Sequence, residues 1–355
     1  MANGYLSIKS IVLNACRQLR KILLFKKIVI YFTLLILLFV GGFIYLLDQQ
    51  MNKPIHLNVP TMVTVKPGLS LSSFSTDLVN KGWIDNRFWL RTYARLYPEN
   101  SNIKRGTFKV KANIALKELL QQLVLGKEHQ FTITFVEGST FKEWLEKLKN
   151  QSQLTHHLSG KSIKQIAQLL DIKQANPEGW FFPETYAFTK GTTDLSLLKR
   201  AHNEMRNKLD DLWQKRVENL PYKNAFEALI MASIIEKETS VVDEMPVISS
   251  VFVNRLRKNM RLQTDPTIIY GLGERYKGNI KRVHKRERTA YNTYRINGLP
   301  PTPIAMPGIL ALQAVLNPDT TDFLYFVSMG NGKHIFTSNL KDHNAAVVKY
   351  QLGKK

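Results

Sequence analysis

The stretch NAFEALIMASIIEKETS, residues 224–240, carries the sharpest structural signal in the chain. Asn224 with Glu227 three residues on marks a helix start, a short polar cap followed by a carboxylate in the first turn. Ala228 to Ile235 is then apolar apart from Ser233, so the predicted helix has no wet face and must be enclosed by other elements. Glu236, Lys237 and Glu238 interrupt the run at its end. A carboxyl there loses water, and desolvation raises its pKa, as a general acid at neutral pH requires. The plainer reading is a helix that surfaces, with both glutamates solvated. Spacing does not choose between Glu236 and Glu238, and positions two apart on a helix face different ways.

Working outward, short strands alternate with short amphipathic helices, which predicts an α+β fold. Val63 to Gly68 alternates like a strand and ends in a turn, before helical spacing at Leu71, Phe74 and Leu78. Thr107 to Lys111 is another strand, followed by a helix through Leu116, Leu119, Leu120 and Leu123 that stops at Gly126. Phe131 to Val136 begins a third, with Glu137-Gly138 as the turn and a helix through Phe141, Trp144, Leu145 and Leu148. Further on, Glu178-Gly-Trp-Phe-Phe-Pro-Glu-Thr-Tyr186 gathers four aromatics and two carboxylates. Aromatic faces stack on sugars but more often fill cores. Phe181 and Phe182 are read as core, and Trp180 fits either role.

The N-terminus addresses the chain. Residues 28–47 form an uncharged apolar run of membrane-spanning length. Lys9, Arg17, Arg20, Lys21, Lys26 and Lys27 precede it with no acidic residue, and Asp48 follows. The positive-inside bias predicts a cytoplasmic tail (1–27), a single anchor (28–47) and everything beyond it outside. No small-residue cleavage site follows, which favours an anchor over a cleaved signal. Residues 48–59 read as a linker, 60–129 as a small module and 130–355 as a larger domain. The formal net charge of +22 favours anionic partners. Outside a cell these are lipid headgroups and wall polymers, and the scattered basic residues match no nucleic-acid motif. With Cys16 as the single cysteine, intramolecular disulfides and thiolate zinc sites are excluded.

Several segments, in order, carry a resemblance. ASIIEKET is followed by SVFVNRL (250–256), LQTDPTIIYGLG (262–273), AYNTY (290–294), GLPPTPIAMPG (298–308) and YFVSMGNGKHIFTSNLKDHN (325–344). Together with EGWFFPETY and the N-terminal anchor, this resembles the endolytic murein transglycosylase family, the MltG or YceG-like proteins. Thr302 stands where that family usually has a small residue, and Met329-Gly330-Asn331 replaces its usual hairpin turn. VTVKPGLSLSSFSTDLVNKG resembles a LysM-type module, either a sugar-binding unit or a plain spacer.

The resemblance implies a catalytic glutamate at Glu236 and non-hydrolytic cleavage of MurNAc–GlcNAc β-1,4 bonds, leaving 1,6-anhydro ends. Candidates for holding the sugar are Gln263, Thr264, Asp265, Tyr291, Asn292, Tyr294 and His334. Asp265 is either a second carboxylate or an Asp-Pro turn residue. Asn292 either donates to an N-acetyl carbonyl or caps a loop. His334 and His343 lack a third ligand, so no metal and no cofactor are expected. Peptidoglycan strands are the implied partner, with membrane-bound synthases nearby and the inner membrane as the address. Termination of nascent glycan is the expected role. A hydrolase pairing Glu236 with Asp265 and a non-catalytic wall-binding scaffold are the alternatives.

Overall fold

A computed structural model describes residues 3–353, with backbone only for 3–12 and 14–16, so the side chain of Cys16 lies outside the described residues. The chain is mixed α+β and divides into two compact units, Met1–His129 and Gln130–Lys355.

The first unit begins with one long helix, α1 (Asn3–Met51), whose apolar part satisfies the length and hydropathy of a membrane span. β1 (Thr61–Val65) and β2 (Gly106–Val110) pair antiparallel, with α2 (Leu71–Asn80) and α3 (Phe88–Leu96) between them in sequence. α4 (Leu116–Leu125) follows and ends as read, on Gly126 in the left-handed conformation at φ 70°. The presumed linker 48–59 is something else. The helix continues through Met51, and Leu47, Met51, Ile55 and Leu57 join Phe74, Leu78, Phe108 and Leu123 in one core. Ile55 N–H donates to Ile114 at 2.8 Å and Asn113 N–H to Leu57 at 2.9 Å, so the segment is stitched to the start of α4. An apolar residue at each of these positions is what converts a spacer into packed structure.

In the second unit the first strand pairs with a distant partner. β3 (Phe131–Thr134) runs antiparallel to β4 (Thr185–Phe188), putting Ile133 opposite Tyr186. α5 (Phe141–Lys149) starts on a reciprocal capping box between Thr140 and Glu143. With α6 (Ile163–Leu169) and α7 (Asp194–Gln214) it encloses Phe135, Phe141, Trp144 and Phe181. Phe181 and Phe182 are core, whereas Trp180 is partly exposed and stacks on Phe226 at 5.6 Å.

The second half of the unit is built round α8 (Ala225–Glu238). Asn224 Oδ1 accepts from Glu227 N–H at 3.1 Å, and every residue from Ala228 to Ile235 is buried. α9 (Met245–Arg257) and α12 (Ile309–Leu316) cover it. α10 (Asp265–Leu272) and α11 (Arg282–Arg286) lie between these in sequence. A hairpin, β5 (Tyr325–Ser328) with β6 (His334–Thr337), and α13 (Leu340–Tyr350) complete the unit.

Candidate active site

Three loops converge at the C-terminal end of α8. Ser233, one turn before that end, accepts from Ile304 N–H at 2.9 Å and so pins the loop 303–308. That loop exchanges two backbone bonds with the turn after β3, Gly138 to Met306 at 2.9 Å and Met306 to Ser139 at 2.8 Å. Lys237 donates to the Gly138 carbonyl at 3.0 Å. A cleft of about 350 Å³ opens among them, lined by Glu137, Glu236, Glu238, Thr239, Val242 and Leu310.

Glu236 is half-buried in this cleft. Its Oε2 accepts from Gly308 N–H at 2.9 Å, and Gly308 caps the start of α12. A helix N-terminus favours the carboxylate by about 0.3–1 kcal/mol. Burial opposes this and wins, because the pKa of Glu236 is raised by desolvation, with the negative charge of Glu137 adding to the rise. Glu137 is therefore a second carboxylate at this site. Its carboxyl occupies the space a β-carbon on residue 308 would take, so a side chain there would have to displace it.

Glu238 also lines the cleft but is tied to a different neighbour. Its carboxyl takes a short hydrogen bond from the Thr264 hydroxyl, and burial pushes its pKa up to about 7. Asp265 nearby raises it further, while His334 and Arg255 lower it. By electrostatics alone Glu238 is the more perturbed of the two glutamates. Its oxygen is already committed to Thr264, however, whereas Glu236 meets only a backbone N–H.

The other predicted residues form a neighbouring group. Thr264 is 2 % exposed and spends its hydroxyl on Glu238. Asp265 accepts from Tyr294 OH at 2.7 Å and pairs with Lys285 at 2.9 Å. It is not among the residues that line the cleft with Glu236. Gln263 is exposed and held at φ 52°, with its N–H on Thr293. Tyr291 OH meets Thr302 Oγ1 at 2.7 Å, so the threonine that departs from the family pattern bridges two loops. Asn292 is 1 % exposed; its amide donates to the carbonyls of His284 and Glu287, and its Oδ1 accepts from Tyr294 N–H. A buried amide so engaged holds the loop 284–294 together. His334 Nδ1 lies 2.7 Å from Glu244 Oε2, and Glu244 also accepts its backbone N–H.

Sequence reading missed Glu137, Lys285 and Glu244 as neighbours of the site. Glu137 stands before a glycine at a strand end, where it reads as a turn, and nothing local reports that the turn folds onto α8. Glu178, read from sequence only as one of two carboxylates in its segment, is buried against Phe141 and Tyr270, and burial raises its pKa to about 7. Among the described residues no group of three metal-ligating side chains occurs.

Such a cleft brings the carboxyls of Glu137, Glu236 and Glu238 along one lining. Residues 63–349 match the model of the YceG-like family, and the chain belongs to that family. It is 29 % identical over 340 residues to a Bacillus subtilis (strain 168) protein named "Endolytic murein transglycosylase", covering 88 % of this chain and 91 % of that one. A protein of the same name from Streptococcus pneumoniae serotype 2 is 26 % identical over 370 residues, covering 92 % of this chain. The chain spans 65 % of the length of that pneumococcal relative. A solved YceG-like protein from Listeria monocytogenes is similar at 28 % identity and a TM-score of 0.48, over 81 % of this chain and 99 % of that one.

Proposed function

We propose that this chain is a membrane-anchored endolytic murein transglycosylase with Glu236 as its general acid and base. The observation that carries the reading is the position of Glu236: a desolvated carboxyl at the end of an enclosed helix, open to a cleft and held by one backbone N–H. The names of the relatives supply the substrate class.

Protonated Glu236 donates its proton to the glycosidic oxygen between MurNAc and GlcNAc as the bond from C1 breaks. The carboxylate then takes the proton of the muramoyl C6 hydroxyl, whose oxygen bonds to C1 and closes the 1,6-anhydro ring. The proton lost is regained and no water is consumed. Because the nucleophile belongs to the substrate, it attacks at high effective molarity and needs no second carboxylate. Product analysis by mass spectrometry tests this. Wild type should leave anhydro ends and Glu236→Gln should leave strands intact; reducing ends with added water from wild type would overturn it.

A hydrolase is the second reading, and the placement of Glu137 beside Glu236 favours it in a form different from the one read from sequence. Asp265, tied to Lys285 and Tyr294, suits the water-activating role less well than Glu137 does. The same product analysis separates the two.

The apolar run 28–47, the basic residues before it and Asp48 after it support an inner-membrane anchor with the chain beyond residue 47 outside. The β1-α2-α3-β2 order supports a LysM-like module within 60–129, ahead of a catalytic domain from 130. An enzyme so tethered meets glycan as it is made, which supports termination of nascent strands close to the synthases.

A further inference from the structure

We propose that α3 is a second membrane contact, so that the first unit rests on the bilayer surface with Phe88 in the interfacial layer. The inference rests on the reading of α1 as an anchor and adds what that reading leaves open, the height of the unit above the lipid.

Phe43 lies within the apolar run 28–47, four residues before Leu47. At about 1.5 Å per residue that is about 6 Å inside its outer end. The ring of Trp89 sits 6.2 Å from that of Phe43, so the start of α3 is brought to the depth of the last apolar turn of α1. Phe88 packs edge-on against Trp89 at 5.1 Å yet is 53 % exposed. An aromatic pair at this depth is the usual furniture of a membrane–water boundary. α3 buries Leu90, Tyr93 and Ala94 in the unit and leaves Arg91 and Arg95 exposed, with exposed Arg87 just before it. No acidic residue falls between Arg87 and Pro98. Apolar rings at the depth of the acyl boundary and exposed cationic charge along one short helix match anionic phospholipid headgroups. Glu99 lies beyond the opposite end of α3 and marks the side facing water.

The test uses the full chain with Cys16→Ser, reconstituted in vesicles of phosphatidylcholine and phosphatidylglycerol. An environment-sensitive fluorophore is attached at Phe88→Cys, Glu99→Cys or Phe39→Cys, the last being 75 % exposed in the apolar run. A lipid carrying a shallow spin label should quench the probe at 88 at least about twofold more than the probe at 99. Equal quenching at 88 and 99, with 39 still quenched by deeper labels, overturns the proposal. Shielding of 88 from aqueous iodide without lipid quenching means that protein covers it, and also overturns it. Absence of lipid quenching at 39 refutes the anchor instead, and that outcome is distinct from the other two.

Discussion

Glu137 and Glu236 meet across Gly308, one filling the space its missing side chain would take, the other accepting its N–H at 2.9 Å. Burial, with the negative charge of Glu137 adding to it, raises the pKa of Glu236 against the pull of a helix N-terminus.

Replacing Glu236 by Gln should lower glycan cleavage about 100-fold or more with the fold intact, as expected for loss of a proton-transfer group. Circular dichroism and product counting on the same preparation check both halves.

Glu137→Gln removes the like charge that helps hold up the pKa of Glu236. The acid must be protonated to act, so the alkaline limb of the rate profile should move to lower pH. An unmoved limb would mean that Glu137 does not sense Glu236.

Gly308→Ala pushes a methyl group onto the Glu137 carboxyl. That end is flexible, so the protein should fold but lose about 1–3 kcal/mol, the usual cost of overpacking. Glu137→Ala in the same chain should recover most of the loss in a urea titration.

Asn292→Ala strips a buried loop of its internal amide bonds and should cost about 2–4 kcal/mol, leaving affinity for glycan nearly unchanged in whatever folds. A large rise in KM at full stability would instead return Asn292 to the sugar.

Glu178 gives a stability signature. Its pKa rises from the ordinary 4.5 to about 7 on burial, so the folded state binds its proton more tightly than the unfolded one. Stability from this group is complete below the lower value and is lost as pH climbs to the upper one. The thermal midpoint should fall across that window, and Glu178→Gln should flatten the fall. Glu238, also raised to about 7, shares the window and leaves a residual slope.

How much of this could be read in advance follows the range of the interactions. α8, its Asn224 cap and the stop of α4 at Gly126 are local affairs of capping and periodicity, and all were legible. The pairing of Ile133 with Tyr186 and the fold-back of Glu137 onto α8 join segments far apart in sequence, and no local pattern reports them. Residues 48–59 misled for a different reason. Pro54 and the polar residues around it suggest a loose tether, yet Met51, Ile55 and Leu57, too widely spaced to register as a run, pack into the core. Asn292 belongs to a third kind, since its residue type suits a ligand and a loop equally and only its partners decide.

The absence of a joint between α1 and the core that swallows Leu47 and Met51 has a mechanical side. A rod gripped at its upper end acts as a lever: if its lower part leans to match a thinner or thicker bilayer, the gripped unit leans with it. With α1 as the proposed membrane anchor, bilayer thickness then becomes an input that the first unit feels directly, with no slack to absorb it.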